Sequence, residues 1–91
     1  MAVVSGQVEV LDPIGLHARP AGQIVKLVKD SGLDISLRRD GQEPVKANSA
    51  LRLMAMKIKN GETLVVEVET DDHEIAQSLI AQIHEVNINQ I

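Results

Sequence analysis

The chain contains no cysteine, so it has no disulfide framework, no thiolate nucleophile and no cysteine-based metal site. It also contains no phenylalanine, tryptophan or tyrosine. That removes the stacking platforms on which single-stranded nucleic acids are bound. Basic residues are in the minority: 9 Lys and Arg against 13 Asp and Glu leave a net charge of -4. This is the wrong sign for a protein built around a polyanion, and no nucleic-acid partner is expected. No stretch approaches the roughly 18 apolar residues of a membrane span. The opening Met1-Ala2-Val3-Val4-Ser5-Gly6-Gln7 also lacks the basic flank and apolar run of a secretion signal. The expectation is a soluble, cytoplasmic protein without membrane association, and the absence of cysteine fits a reducing compartment.

What is present is ordinary for a folded protein: 44% hydrophobic and 24% charged residues. At 91 residues there is room for one core, so residues 1–91 read as a single domain without linker, repeat or low-complexity tract. Gln7 to Leu11 alternates, with Val8 and Val10 on one side, as in a half-buried strand. Asp12-Pro13-Ile14-Gly15 stops it. From Ala18 to Ser31, Ala21, Ile24, Val25 and Val28 form one helical stripe, with Gln23, Lys26 and Lys29 facing away. Pro20 suits the first turn of that helix and Gly32 its left-handed end.

Ile35 and Leu37 alternate with Ser36 and Arg38, Asp40-Gly41 supplies a turn, and Gln42 to Ala47 returns as the second arm of a hairpin with Val45 inward. Pro44 places that arm at a sheet edge, because proline cannot donate to a ladder. Asn48 or Ser49 caps a short helix through Leu51, Leu53, Met54 and Met56, and Asn60-Gly61 breaks the chain. Leu64, Val66 and Val68 form the inward side of a last strand running to Glu69. Thr70-Asp71-Asp72 opens a final helix with Ile75, Ala76, Leu79, Ile83 and Val86 as its buried stripe. The order βαββαβα, with one apolar face per strand, predicts an α+β open-faced β-sandwich: a four-stranded antiparallel sheet with three helices on one face.

Without cysteine or tyrosine, the candidate nucleophiles are Ser, Thr, Lys and His. His17 stands out, because Gly15-Leu16-His17-Ala18-Arg19-Pro20 brings an imidazole, a guanidinium and a helix start together. A helix N-terminus offers unpaired N–H groups and a partial positive charge, which suits a phosphate. The same field disfavours imidazolium and leaves a lone pair for attack on phosphorus. Arg19 can hold the phosphoryl oxygens through charge-assisted bonds, and Gly15 permits a close or left-handed backbone approach. The structural alternative is a histidine that only caps the helix or faces solvent.

Gly15-Leu16-His17-Ala18-Arg19-Pro20-Ala21 resembles the active-site motif of the HPr family, the histidine-containing phosphocarriers of the bacterial sugar phosphotransferase system. Ser49-Ala50-Leu51 resembles that family's regulatory serine region, and length and element order agree over nearly the whole chain. The resemblance implies that His17 is the phosphoacceptor, through Nδ1, taking phosphate from phosphorylated enzyme I and passing it to a IIA domain. It implies that Arg19 stabilises the phosphate, together with the backbone amides of Ala18 and Arg19. It implies a docking surface for both partners at Gly22, Lys26, Lys29, Ala50, Leu51 and Met54; a carrier that meets two partners on one face is most simply a monomer, and no metal or other cofactor is expected. Enzyme activity is then that of a phosphohistidine intermediate, not of an independent catalyst.

The residues support part of that surface independently. Lys26 and Lys29 can steer acidic partner faces, and Met54 suits a surface that must adapt to several partners. The alternative is a solvated lysine face over core methionines. Ser49 caps the second helix; as a regulatory site it would be phosphorylated by a serine kinase, adding negative charge beside the docking patch. Three departures from the family stand out. Asn48 and Arg52 replace the lysine and glycine that flank a controlled serine, Ile14 replaces a polar residue near the phosphate, and Lys57 stands where a glycine commonly follows the second helix. His73 and His84 lack the spacing of paired metal ligands and read as solvent-facing. A second function, of a different class, is a regulatory docking module on the same scaffold whose phosphorylation state controls a transcription factor or an enzyme.

Overall fold

In the computed structural model, which describes residues 2–88 with side chains through Val86, seven elements follow the expected order. They are β1 (Val3–Glu9), α1 (Ala18–Ser31), β2 (Ile35–Arg38), β3 (Val45–Lys46), α2 (Ala50–Ala55), β4 (Thr63–Glu69) and α3 (His73–Ile88). The strands form one sheet in the order β1-β4-β2-β3, and every neighbouring pair is antiparallel. Side chains alternate across a strand, so the register aligns apolar rows on one face. Val4, Val68 and Ile35 form one row and Val66, Leu37 and Val45 another, while Val8 faces Leu64. The helices bury that face with Ala21, Ile24 and Val28 of α1, Leu53 of α2, and Ala76, Leu79, Ile80 and Ile83 of α3. The opposite face carries Ser5, Gln7, Ser36, Arg38 and Glu67 and stays wet, as an open-faced sandwich requires.

Several boundaries differ from the sequence reading, each for a local reason. β1 starts at Val3 and ends at Glu9, because β4 pairs with it over seven residues from Val3 opposite Glu69 to Glu9 opposite Thr63. The early residues alternate across Gly6, whose missing side chain makes room for α3: a Cβ there would sit 3.0 Å from Ile80 Cγ2. The second arm of the hairpin shrinks to Val45–Lys46. Gly41 turns the chain at positive φ, and Pro44 has no N–H to extend the ladder, which resumes with Ala47 N–H donating to the Ile35 carbonyl at 2.9 Å. β3 does lie at the sheet edge. Ile75 is not part of the buried stripe of α3: it is 49% exposed, and Ile80 takes the inward place. The buried positions Ala76, Leu79, Ile80 and Ile83 repeat at i, i+3, i+4 and i+7, and Ile75 falls one residue out of that phase.

The end of α2 shows why glycine is favoured after it. Lys57 has φ 53°, the left-handed region that costs a residue with a Cβ about 1 kcal/mol. Arg39 helps to hold the turn. Its Nη2 donates to the Met56 carbonyl at 2.9 Å and its Nε to Glu62 Oε1 at 2.7 Å, tying the hairpin to the helix end and to the turn before β4. Lys57→Gly is expected to raise stability by about 1 kcal/mol, read as a higher urea midpoint at unchanged m-value. The Arg39 hydrogen bond, reinforced by the Lys59 N–H, holds the Glu62 carboxyl below its ordinary value. The unfolded chain therefore takes up this proton first. The contribution is complete above about pH 5 and is lost as pH falls through the folded value, so urea midpoints should drop between about pH 5 and 3. Midpoints that stay flat over that window in wild type, or that fall equally in Arg39→Ala, would remove this ion pair from the account.

Candidate functional site

The site is built by the loop between β1 and α1. Val10 continues inward after β1, donating to the Glu62 carbonyl at 2.9 Å and accepting from Gly61 N–H at 2.7 Å. Asp12 then folds the chain over itself: its Oδ1 accepts from Ile14 N–H at 2.8 Å and its carbonyl from Gly15 N–H at 2.9 Å. Gly15 has φ 86°, and a Cβ there would run into the carbonyl oxygen of Ile58 and the Cα of Lys59. No other residue fits without moving backbone. Leu16 N–H donates to the same Ile58 carbonyl at 3.0 Å while its side chain enters the core. Asn60 Nδ2 fastens the outer strand of the loop through the carbonyls of Leu11 at 3.1 Å and Asp12 at 3.2 Å.

These constraints deliver His17 to the N-cap of α1 in extended conformation, with φ -92° and ψ -172°. Its carbonyl accepts the first helical bond, from Ala21 N–H at 3.1 Å, but its ring makes no capping bond. The capping alternative thus fails for the side chain. Pro20 has no N–H to offer, and the N–H groups of Ala18 and Arg19 have no acceptor among the described residues. The ring is 29% exposed and its Nε2 lies 3.2 Å from Oδ2 of Asp12, whose side chain is fully buried. Nδ1 has no partner among the described residues. The exposed Arg19 guanidinium likewise has no hydrogen bond or ion pair there.

Burial opposes ionisation of Asp12. The Ile14 N–H, the bond to the His17 ring and the electrostatic pull of His17 and Arg19 outweigh it and hold the carboxyl below its ordinary value. At neutral pH a carboxylate therefore faces Nε2, and a carboxylate can only accept. In a neutral ring, this contact is met by a proton on Nε2, which leaves the lone pair on Nδ1. The arrangement comprises a nucleophilic nitrogen, two free amides and a free guanidinium at the positive end of a helix, which can receive a phosphoryl group.

The remaining expected positions fall on α1 and α2, which pack against each other. Gly22, Lys26 and Lys29 are exposed and recur at i, i+4 and i+7 along one stripe of α1. Lys29 lies about 18 Å of helix rise from His17, so it meets a partner far from any reacting atom. Leu51 is 77% exposed, an unusual position for a leucine, whereas Ala50 and Met54 are half-buried and Met54 packs on the core. Ile14 is 73% exposed beside the His17 loop. Ser49, not Asn48, caps α2: its Oγ accepts from Arg52 N–H at 3.4 Å. His73 is exposed, but His84 is half-buried and its Nδ1 accepts from Glu9 N–H at 3.4 Å, which corrects its reading as solvent-facing. Among the described residues no group of His, Asp and Glu could hold a metal ion.

Two residues of the site were missed by the sequence reading. In the sequence Asp12 reads only as part of the Asp12-Pro13-Ile14-Gly15 stop after the first strand, and Asn60 only as part of the Asn60-Gly61 break. An aspartate five residues before the histidine, within a turn that reverses the chain, is the signal that could have found the first. Nothing in sequence separation points to the second, which acts across the fold.

A family model described as "PTS HPr component phosphorylation site" matches residues 4–85. The phosphocarrier protein HPr of Borreliella burgdorferi is 37% identical over 71 residues, covering 78% of this chain and 81% of the relative. The HPr-like protein Crh of Halalkalibacterium halodurans is 36% identical over 80 residues, covering 87% and 94% respectively. The crystal structure of a phosphocarrier protein HPr from Bacillus anthracis superposes with a TM-score of 0.79 at 28% identity, over 96% of this chain and 99% of that one.

Proposed function

The chain belongs to the HPr family of phosphotransferase-system phosphocarriers, and from that premise we propose that His17 accepts a phosphoryl group from phosphorylated enzyme I and passes it to a IIA domain. The observation that supports this most strongly is the unengaged Nδ1 of His17, the N-cap residue that directly precedes the free amides of Ala18 and Arg19. The Nδ1 lone pair forms the new bond to phosphorus as the donor's bond to phosphorus breaks and its electron pair returns to the donor. The phosphoryl oxygens meet the two amides and the Arg19 guanidinium. The same contacts serve onward transfer, since the acceptor attacks from the open side once the donor has left. Donor and acceptor therefore bind in turn, over Gly22, Lys26, Lys29, Ala50, Leu51 and Met54, with Leu51 as the exposed apolar anchor. Ser49 enters this reading as a helix cap whose oxygen accepts from Arg52 N–H, a role that leaves phosphorylation by a serine kinase open as a second one.

Arg19→Ala is expected to slow transfer by about 10–100-fold, the rate equivalent of losing a charge-assisted bond of about 1.5–3 kcal/mol. The melt should move little, because Arg19 is exposed and has no hydrogen bond or ion pair among the described residues, only a long-range pull on Asp12. An unaltered rate would show that the guanidinium does not touch the phosphoryl group.

The test is a reconstituted relay with phosphoenolpyruvate, enzyme I, this protein and a panel of IIA domains. Catalytic amounts of this protein should phosphorylate at least one IIA domain. Labelling of the protein with no onward transfer to any IIA domain would instead favour the regulatory docking module.

A further inference from the structure

Resting on the phosphocarrier reading, we infer that Asp12 is a positioning residue for His17: its buried carboxylate fixes the ring proton on Nε2 and thereby selects Nδ1 as the phosphoacceptor atom. The geometry leaves little freedom. Oδ1 is committed to Ile14 N–H at 2.8 Å, so Oδ2 is the atom that meets Nε2 at 3.2 Å. The side chain is fully buried, with no solvent to substitute for either bond. The second nitrogen of an imidazole is defined by the hydrogen bond that the first one makes. In the attack, the Nδ1 lone pair bonds phosphorus and the donor's bond breaks. The Nε2 proton stays in place, so the ring becomes cationic while facing Asp12. Onward transfer reverses this: the phosphorus–nitrogen bond breaks and its electron pair returns to Nδ1. A cationic ring is the better leaving group, so the carboxylate helps both to load the phosphoryl group and to release it.

Asp12→Asn separates this role from a structural one. The amide oxygen must serve Ile14 N–H, which places the NH2 group against Nε2. Two donors cannot face each other, so the ring has to shift its proton to Nδ1 and lose the lone pair that attacks. Asp12→Ala removes the bias in either direction and lets the ring sample both tautomers. Transfer rates should therefore fall in the order wild type, Ala, Asn, with the Asn variant roughly tenfold below wild type. A purely structural role gives the reverse order for the variants, because Asn keeps the volume and the Ile14 bond.

The direct readout is nitrogen-15 NMR of the His17 ring in the unphosphorylated protein, at a pH where the ring is neutral. The expected spectra show Nε2 protonated in wild type and Nδ1 protonated in Asp12→Asn. A wild-type ring protonated on Nδ1, or an Asn variant with the wild-type tautomer, overturns the inference. So does an Asn variant that transfers faster than Ala. The spectra need no enzyme I, so this inference can fail while wild type is still phosphorylated, and the carrier reading can fail while the tautomer assignment stands.

Discussion

His17→Gln abolishes phosphoryl transfer and leaves the fold intact. Glutamine cannot attack phosphorus under these conditions, and no other group among the described residues combines a lone pair with the amides at the start of α1. Its side-chain NH2 can still donate to the Asp12 carboxylate, so the buried charge keeps a partner. The ring itself is part-exposed and makes no capping bond, so little packing is lost. Thermal melts should coincide with wild type while transfer drops to background. His17→Ala should also lose transfer, but with a lower melting temperature, because Asp12 then loses its partner. Residual transfer in the glutamine variant would locate the phosphoryl group elsewhere. A collapsed melt in that variant would mean that the imidazole is mainly structural.

Gly15→Ala has the largest expected effect on stability among single-methyl changes. The position combines a φ of 86° with a Cβ direction that ends on the backbone of Ile58 and Lys59. Neither can retreat as a flexible side chain would. The loop must shift, breaking the Leu16 bond to Ile58 and the turn that carries Asp12. The cost should be about 2–4 kcal/mol, and for a domain of this size each kcal/mol lowers the melting temperature by roughly 4–8 °C. Transfer should fall as well, since the ring, the carboxylate and the helix amides share that loop. Gly22→Ala is the internal control. A Cβ there meets nothing within 4 Å, so the change should stabilise α1 by about 0.5–1 kcal/mol. If both glycine variants melt alike, the crowding at Gly15 is not real.

Local patterns carried most of the architecture. Leu64, Val66 and Val68 alternate as strictly in space as in sequence, and Pro20 and Gly32 bound α1 where the chain enters and leaves it. The motif around His17 was legible because helix starts are written in short-range chemistry. The misreadings have a common cause, which is tertiary context. β1 extends through Gly6 to Val3 because β4 is there to pair with it, and Ile80 occupies the space that a side chain at position 6 would need. Ile75 and Ile80 compete for the same stripe, and only the placement of α3 against β1 and α1 chooses between them. Lys57 stands out in the sequence only as a departure, and its left-handed backbone gives the physical reason a glycine suits that place. Asp12 illustrates the limit most clearly. A turn aspartate is an ordinary sequence feature, and only the folded loop shows its second oxygen meeting an imidazole. Asn60 reaches across from another loop, and no local pattern encodes that contact.

The central claim concerns a single bond between phosphorus and one ring nitrogen. It is tested most directly by phosphorylating nitrogen-15-labelled protein with phosphoenolpyruvate and enzyme I and recording phosphorus and nitrogen spectra before hydrolysis. The account predicts one phosphoryl group per chain, coupled to Nδ1 of His17. Phosphate on Nε2, on Ser49, on His73 or His84, or no incorporation with an active enzyme I, would contradict it.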